Sequence, residues 1–75
     1  MNAKRRKRLK EVYDHLNIAA DALEDVVDEE QDCLDNTPEN LQGADAYAER
    51  EDLIDDMQDA LDEIKLVMNS VSDLL

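Results

Sequence analysis

The chain has 75 residues, with 21 Asp and Glu against 8 Lys and Arg, and a formal net charge of −13. Its length allows one domain at most, residues 1–75, and its single cysteine excludes an internal disulfide. So acidic a surface is repelled by nucleic acid and by anionic lipid, and no run of ~18 apolar residues could cross a membrane. We therefore expect a cytoplasmic protein that binds neither nucleic acid nor membrane directly.

The charge is distributed unevenly along the chain. Eighteen of the carboxylates lie between Asp21 and Glu63, where Arg50 is the only cation, so this segment carries a net charge of −17. Six of the eight cations lie between Lys4 and Lys10. Like charges on one element repel each other, and folding brings them closer. A chain that keeps this density on a regular scaffold is expected to use it on a basic partner.

Apolar residues in the first half recur at helical spacing. One ladder, in steps of three or four, consists of Leu9, Val12, Leu16, Ala19, Leu23 and Val26. A flanking ladder, in steps of seven, consists of Tyr13, Ala20, Val27 and Leu34. Three apolar positions per heptad are typical of a helix in a bundle. The pattern predicts a helix over about residues 3–34, with a stripe that weakens at Glu30.

Turn-forming residues at 35–40 predict a connector. Thr37 is a good N-cap with Pro38 at the first helical position, so a second helix is expected to begin near residue 38. Gly43 would then lie inside that helix, where it costs about 1 kcal/mol relative to Ala and could introduce a kink.

The second half predicts another amphipathic helix, over about residues 38–74. Its main ladder is Ile54, Met57, Leu61, Ile64, Met68, Val71 and Leu75, and its flanking ladder is Leu53, Ala60, Val67 and Leu74. A short connector makes neighbouring helices antiparallel, so the fold class is an all-α helical hairpin. The stripes are wider than two helices can bury, which favours a homodimer in which two hairpins form a four-helix bundle. The predicted core and oligomer stripe is Leu16, Leu23, Val27, Ile54, Leu61, Ile64 and Met68.

Carboxylates opposite the stripes are the main candidate site. The predicted contacts are Asp52, Asp55, Asp56, Asp59, Asp62 and Glu63 on the second helix, and Asp21, Asp25, Asp28 and Glu29 on the first. Carboxylates three, four and seven residues apart form rows with spacings of ~5–10 Å, comparable to phosphates along a nucleic-acid strand. One interpretation is a mimic of a nucleic-acid backbone, and the alternative is a solubilising face. Ordinary solvated helices interleave Lys with Glu, and this chain does not.

The basic run from Lys4 to Lys10 has three interpretations: contact with nucleic acid or an acidic patch, a frayed soluble terminus, or head-to-tail attraction between molecules. No aromatic residues are interleaved for base stacking, which favours the soluble terminus.

Catalytic and metal sites have little support in the sequence. Asp28, Glu30, Asp32 and Glu39 match positions 1, 3, 5 and 12 of an EF-hand, but Cys33 occupies the position that requires Gly. His15 has no neighbouring catalytic constellation, and Cys33 is expected at the edge of the core. We therefore predict no enzyme activity, no cofactor and no metal.

Three segments carry a resemblance to a known group of proteins: residues 1–9, MNAKRRKRL; residues 28–31, DEEQ; and residues 35–42, DNTPENLQ. Together they resemble short acidic proteins encoded by phages and prophages of Gram-positive bacteria. The resemblance implies a phage context, and hence the cytoplasm of a bacterial host, but no activity. In size and charge the chain is similar to DNA mimics among anti-restriction and anti-CRISPR proteins. The expected function is inhibition of a host protein by occupying its basic nucleic-acid-binding surface. The alternative is a structural or adaptor coiled coil that acts through its apolar stripe.

Overall fold

The computed structural model describes residues 1–75, which form two helices joined by a connector. Helix α1 spans Ala3–Asp35, a single 3-10 turn spans Glu39–Leu41, and helix α2 spans Asp45–Ser72. The Cα atoms occupy a rod of 60 × 14 × 12 Å. The predicted all-α, two-helix architecture is confirmed, and there is no strand.

Side-chain hydrogen bonds cap helix α1 at both ends. At its start, the Asn2 Oδ1 accepts a hydrogen bond of 2.8 Å from the Arg5 backbone N–H, which satisfies one free donor of the first turn. Beyond its end, the Thr37 hydroxyl donates to the Cys33 carbonyl at 3.0 Å. The observed bounds agree with the predicted 3–34 to within one residue.

The predicted start of the second helix is wrong. Helix α2 begins at Asp45, seven residues after the expected position, with Ala44 as its N-cap. The Thr37 hydroxyl is used by the C-terminus of α1, and Pro38 has an extended ψ of 144° that does not begin a helix. Gly43 therefore lies in the turn before α2 and does not kink it.

The two helices pack along a narrow seam with two residues per heptad from each helix. From α1 the seam contains Leu9, Tyr13, Leu16, Ala20, Leu23, Val27 and Leu34; from α2 it contains Tyr47, Ile54, Met57, Leu61, Ile64, Met68 and Val71. Ala20 packs with Leu61 and Met68, and Val27 and Leu34 pack with Ile54, so the helices run antiparallel. The structure places all seven predicted stripe residues in this seam, buried or half-buried.

The third apolar position of each heptad is outside the seam. Val12 and Val26 are 47% and 44% exposed, although they were expected in the main ladder of the first helix. The seam instead takes Tyr13, Ala20 and Val27 from the ladder expected to flank it. A single neighbouring helix covers only two positions per heptad, because helices meet along a narrow line of contact. The hairpin alone therefore does not bury the predicted three-residue stripe.

One seam position on each helix is charged. The Arg50 Nε lies 3.3 Å from Oε2 of Glu30, and the two side chains are 45% and 34% exposed. Glu30 occupies the position where the apolar stripe was expected to weaken. Its partner is the only cation in the acidic segment, so the ion pair replaces one apolar layer of the seam.

Candidate partner-binding surfaces

The seam divides the hairpin into two flanks of different chemistry. Two antiparallel helices are related by an approximate two-fold axis perpendicular to the plane that contains them. Such an axis keeps each flank on its own side of that plane, so equivalent heptad positions of both helices lie on the same flank. Residues one place before Ala20, Val27 or Leu61 lie on one flank. Residues one place and four places after them lie on the other flank.

The first flank, which we call the apolar flank, carries an uncharged row from each helix. Its members are Val12, Ala19 and Val26 on α1, and Leu53, Ala60, Val67 and Leu74 on α2. Every one of them is exposed, and the large side chains are exposed by between 44% and 59%. Two alanines lie near the middle of this surface, with larger aliphatic side chains toward both ends.

The second flank, which we call the acidic flank, carries carboxylates from both helices. Its members are Asp21, Glu24 and Asp28 on α1, and Glu51, Asp55 and Asp62 on α2. All six are exposed. The predicted contacts do not include Glu24 and Glu51, because the prediction took only carboxylates opposite the stripes, whereas these two border the seam beside Leu23 and Arg50. An antiparallel heptad alignment of the two ladders could have found them.

The structure distributes the ten predicted carboxylates over three surfaces and does not bring them to one patch. Four belong to the acidic flank, and these are Asp21, Asp28, Asp55 and Asp62. Three lie on the outer ridges of the helices, opposite the seam, and these are Asp25, Asp52 and Asp59. Three border the apolar flank, and these are Glu29, Asp56 and Glu63. All ten are exposed.

None of the ten carboxylates is neutralised within the chain. The only ion pair joins Glu30 to Arg50. On the acidic flank, the Gln58 amide donates to an oxygen of Asp62 at 3.2 Å, and the Gln31 amide donates to Asp35 at 2.9 Å. These amides orient two carboxylates without removing their charge. Over residues 21–35 and 45–63 the surface therefore presents nearly pure negative charge to a partner, and the exposed Lys65 lies just beyond it on the same flank.

The end of the rod opposite the connector is basic. Helix α1 begins at Ala3, so the cationic run is helical and not a frayed terminus. Arg6, Lys7 and Lys10 share a shallow groove with Leu75, which places the cations beside the C-terminus of the chain. A larger open groove on the apolar flank is lined by Arg5, Arg8, Leu9, Val12 and neighbouring residues.

The EF-hand-like spacing does not form a loop, because residues 28–35 are helical. No group of three or more His, Cys, Asp or Glu side chains is arranged to hold a metal ion. The Nδ1 of His15 lies 2.6 Å from the Glu11 carbonyl, in an exposed contact one helical turn away. Cys33 is exposed, so its expected place at the edge of the core is wrong. Neither helix is apolar over enough of its length to cross a membrane.

Comparison of the chain with protein-family models, with curated proteins and with solved structures gave no match.

Proposed function

We propose that the protein binds, through its carboxylates, to the basic nucleic-acid-binding surface of another protein and so excludes the nucleic acid. The observation that supports this most strongly is the density of uncompensated charge on a rigid rod. Residues 21–35 and 45–63 lie side by side and contain seventeen carboxylates and one cation, a net charge of −16. Regular helix fixes the positions of these charges, so a partner does not have to order them on binding.

The charge density of this segment is close to that of duplex DNA. The longer of the two helical stretches has 19 residues, or about 28 Å of helix axis at ~1.5 Å per residue. A net charge of −16 over that length corresponds to one negative charge per about 1.8 Å, compared with ~1.7 Å for B-DNA. A basic groove that attracts DNA would therefore meet a similar field on this protein.

The wider context of the proposal is a phage protein that acts on a host defence enzyme, such as a restriction or CRISPR effector, in the host cytoplasm. The protein would act stoichiometrically, as a binding protein without catalysis, cofactor or metal. It would be a homodimer, with two hairpins in a four-helix bundle. The acidic flank is the favoured contact surface, since carboxylates from both helices meet there.

The test is capture from a lysate of a Gram-positive host, with the immobilised protein as bait. One variant carries three substitutions, Asp55→Lys, Asp59→Lys and Asp62→Lys, which together change the charge of the acidic segment by +6. We expect this variant to lose a nucleic-acid-binding protein that the wild-type bait retains at low salt. Long-range attraction is screened by salt, so the wild-type bait should release the same protein at high salt.

A matched control carries the same change of charge outside the acidic segment. The three remaining acids of the chain, Glu11, Asp14 and Asp73, provide it when each is changed to Lys. The control is expected to retain the captured protein. Equal loss from both variants would show a response to net charge alone, and capture that resists both variants would contradict the proposal.

A second candidate function is a structural or adaptor coiled coil, in which the carboxylates serve only solubility. The exposed apolar flank is the observation that favours it, because it offers a docking surface that requires no charge. Under this alternative, Val26→Glu with Leu53→Glu would remove the captured partner, whereas the three Lys substitutions would leave it bound.

A further inference from the structure

The hairpin has too small a core for its length. Only six of its 75 residues are buried, and all six are in the seam. Small domains without a disulfide or metal commonly need oligomerisation to add buried apolar surface. The apolar flank provides such a surface, and no part of the chain covers it.

We propose that the apolar flank is the contact surface for a second copy of this chain, and that the two hairpins dock antiparallel, the basic end of each beside the connector end of the other. The members of the flank extend over Leu53–Leu74, about 32 Å of helix axis, and two helices make the flank about 20 Å wide. It thus provides on the order of 600 Å² per copy, or about 1,200 Å² for both copies, at the lower end of the range for specific interfaces.

The distribution of charge selects a second copy in this orientation. Parallel docking would set the six cations of one copy against those of the other, and would set the two acidic segments side by side. Antiparallel docking brings Arg5 and Arg8, which line the apolar flank at the basic end, beside acidic residues of the other copy. The carboxylates that border the flank near the connector are Glu29 and Glu49, both exposed.

Two open grooves are on the same flank, one at each end of the rod. The groove at the basic end is lined by Met1, Arg5, Leu9 and Val12 among others. The groove at the connector end is lined by residues that include Cys33, Leu41 and Tyr47. Leu41 is 50% exposed on the 3-10 turn. In the antiparallel arrangement the connector of each copy lies beside the basic-end groove of the other.

This inference rests on the dimer of the proposed function and names its surface and orientation. It requires no host partner, so its tests are made on the purified protein alone. A failure here would leave the acidic flank free to bind as proposed, and a failure of capture from lysate would leave the dimer unaffected.

The first experiment measures the mass of the protein in solution by light scattering and sedimentation at high micromolar concentration. We expect a dimer for the wild type and a monomer for Val26→Glu with Leu53→Glu, which adds two charges to the apolar flank. The matched control, Asn17→Glu with Asn69→Glu, adds two charges to the opposite flank at positions whose side chains make no hydrogen bond, and it should remain dimeric. Circular dichroism must show unchanged helicity in both variants, since all four positions are exposed. A monomeric wild type, or a dimer that survives the first pair, would overturn the proposal.

The second experiment measures orientation by pulsed electron paramagnetic resonance. A spin label is attached at Asn40→Cys in a chain with Cys33→Ser, so that it reports from the exposed connector and outside the flank. Antiparallel docking separates the two connectors by 35–40 residues of helix rise, about 50–60 Å between labels. Labels closer than about 25 Å, little more than two helix diameters, would show parallel docking and overturn the proposal.

Discussion

The two flanks of the seam have the same backbone geometry and opposite chemistry. Both border the buried residues of the seam. The apolar flank extends over Leu53–Leu74, about 32 Å of helix axis, and the acidic flank over Glu51–Asp62, about 17 Å. One carries Val26, Leu53 and Val67, and the other carries Glu24, Glu51 and Asp62; all six are exposed. The hairpin fold itself requires neither set. We propose that the asymmetry serves contacts that the hairpin makes with other molecules.

A further difference lies in what each flank requires of its partner. An apolar surface gains free energy from any well-fitted apolar partner, whatever the salt concentration. A carboxylate surface without internal ion pairs attracts only a basic partner, and less strongly at high salt. Two flanks of this kind allow the same chain to associate with itself and with a second protein at separate surfaces.

The largest expected effect comes from breaking the seam that holds both flanks in place. Leu61 is only 2% exposed, whereas Leu66 on the same helix is 66% exposed. We expect Leu61→Ala to lower the free energy of unfolding by about 2–5 kcal/mol through lost burial and an unfilled cavity. Leu66→Ala should change it by less than about 0.5 kcal/mol. Urea denaturation at a fixed chain concentration measures both, and equal effects would contradict the seam register.

The second prediction concerns the ion pair within the seam. Replacement of both Glu30 and Arg50 by Leu should raise stability by about 1 kcal/mol, because partly exposed ion pairs contribute little and an apolar layer contributes more. Arg50→Ala alone should lower it by about 0.5–1 kcal/mol, since Glu30 then remains near the seam without its partner. Thermal denaturation followed by circular dichroism distinguishes the cases. A double-Leu variant less stable than the wild type would show that the pair fixes the alignment of the helices.

Added salt should stabilise the hairpin, because it screens the repulsion among carboxylates and leaves the apolar contacts unweakened. Raising the ionic strength to about 0.5 M shortens the screening length to ~4 Å and reduces repulsion among the eighteen carboxylates between residues 21 and 63. We expect stability to rise by on the order of 1 kcal/mol, or about 4–8 °C in Tm for a domain of this size. A melting temperature that falls with salt would indicate that attraction between the basic end and the acidic segment outweighs this repulsion.

The smallest effect is expected in the connector at Gly43, which lines none of the grooves. Gly43 has a negative φ, and a Cβ added there would meet nothing within 4 Å. Gly43→Ala should therefore stabilise the protein by about 0.4–1 kcal/mol by restricting the unfolded chain. A loss of stability in the same denaturation assay would mean that the turn needs the freedom of glycine.

The sequence was sufficient to predict two helices and the first helix boundary, because period and capping both act locally. The predicted start of the second helix is wrong because of Thr37, whose hydroxyl can cap either the start of the following helix or the end of the preceding one. Local pattern does not decide between these two hydrogen bonds. The end of α1 and the path of the connector decide it, and both depend on how the helices pack.

The candidate surface was predictable in composition but not in geometry. Three apolar positions per heptad do not reveal which two will enter the seam, and Val26 and Val27 are equivalent by pattern alone. Antiparallel pairing buries Val27 at 6% exposure and leaves Val26 at 44%. That choice fixes which carboxylates of α1 border the seam, and it therefore brings in Glu24.

The central claim, that the carboxylates occupy a nucleic-acid-binding surface, is tested most directly by competition. The captured host protein is held at saturation with labelled hairpin, and duplex DNA is titrated while bound hairpin is followed by fluorescence anisotropy. We predict mutual exclusion, in which DNA displaces the hairpin completely and the apparent affinity of each ligand falls as the other is added. A stable complex of the host protein with both the hairpin and the DNA would contradict the account.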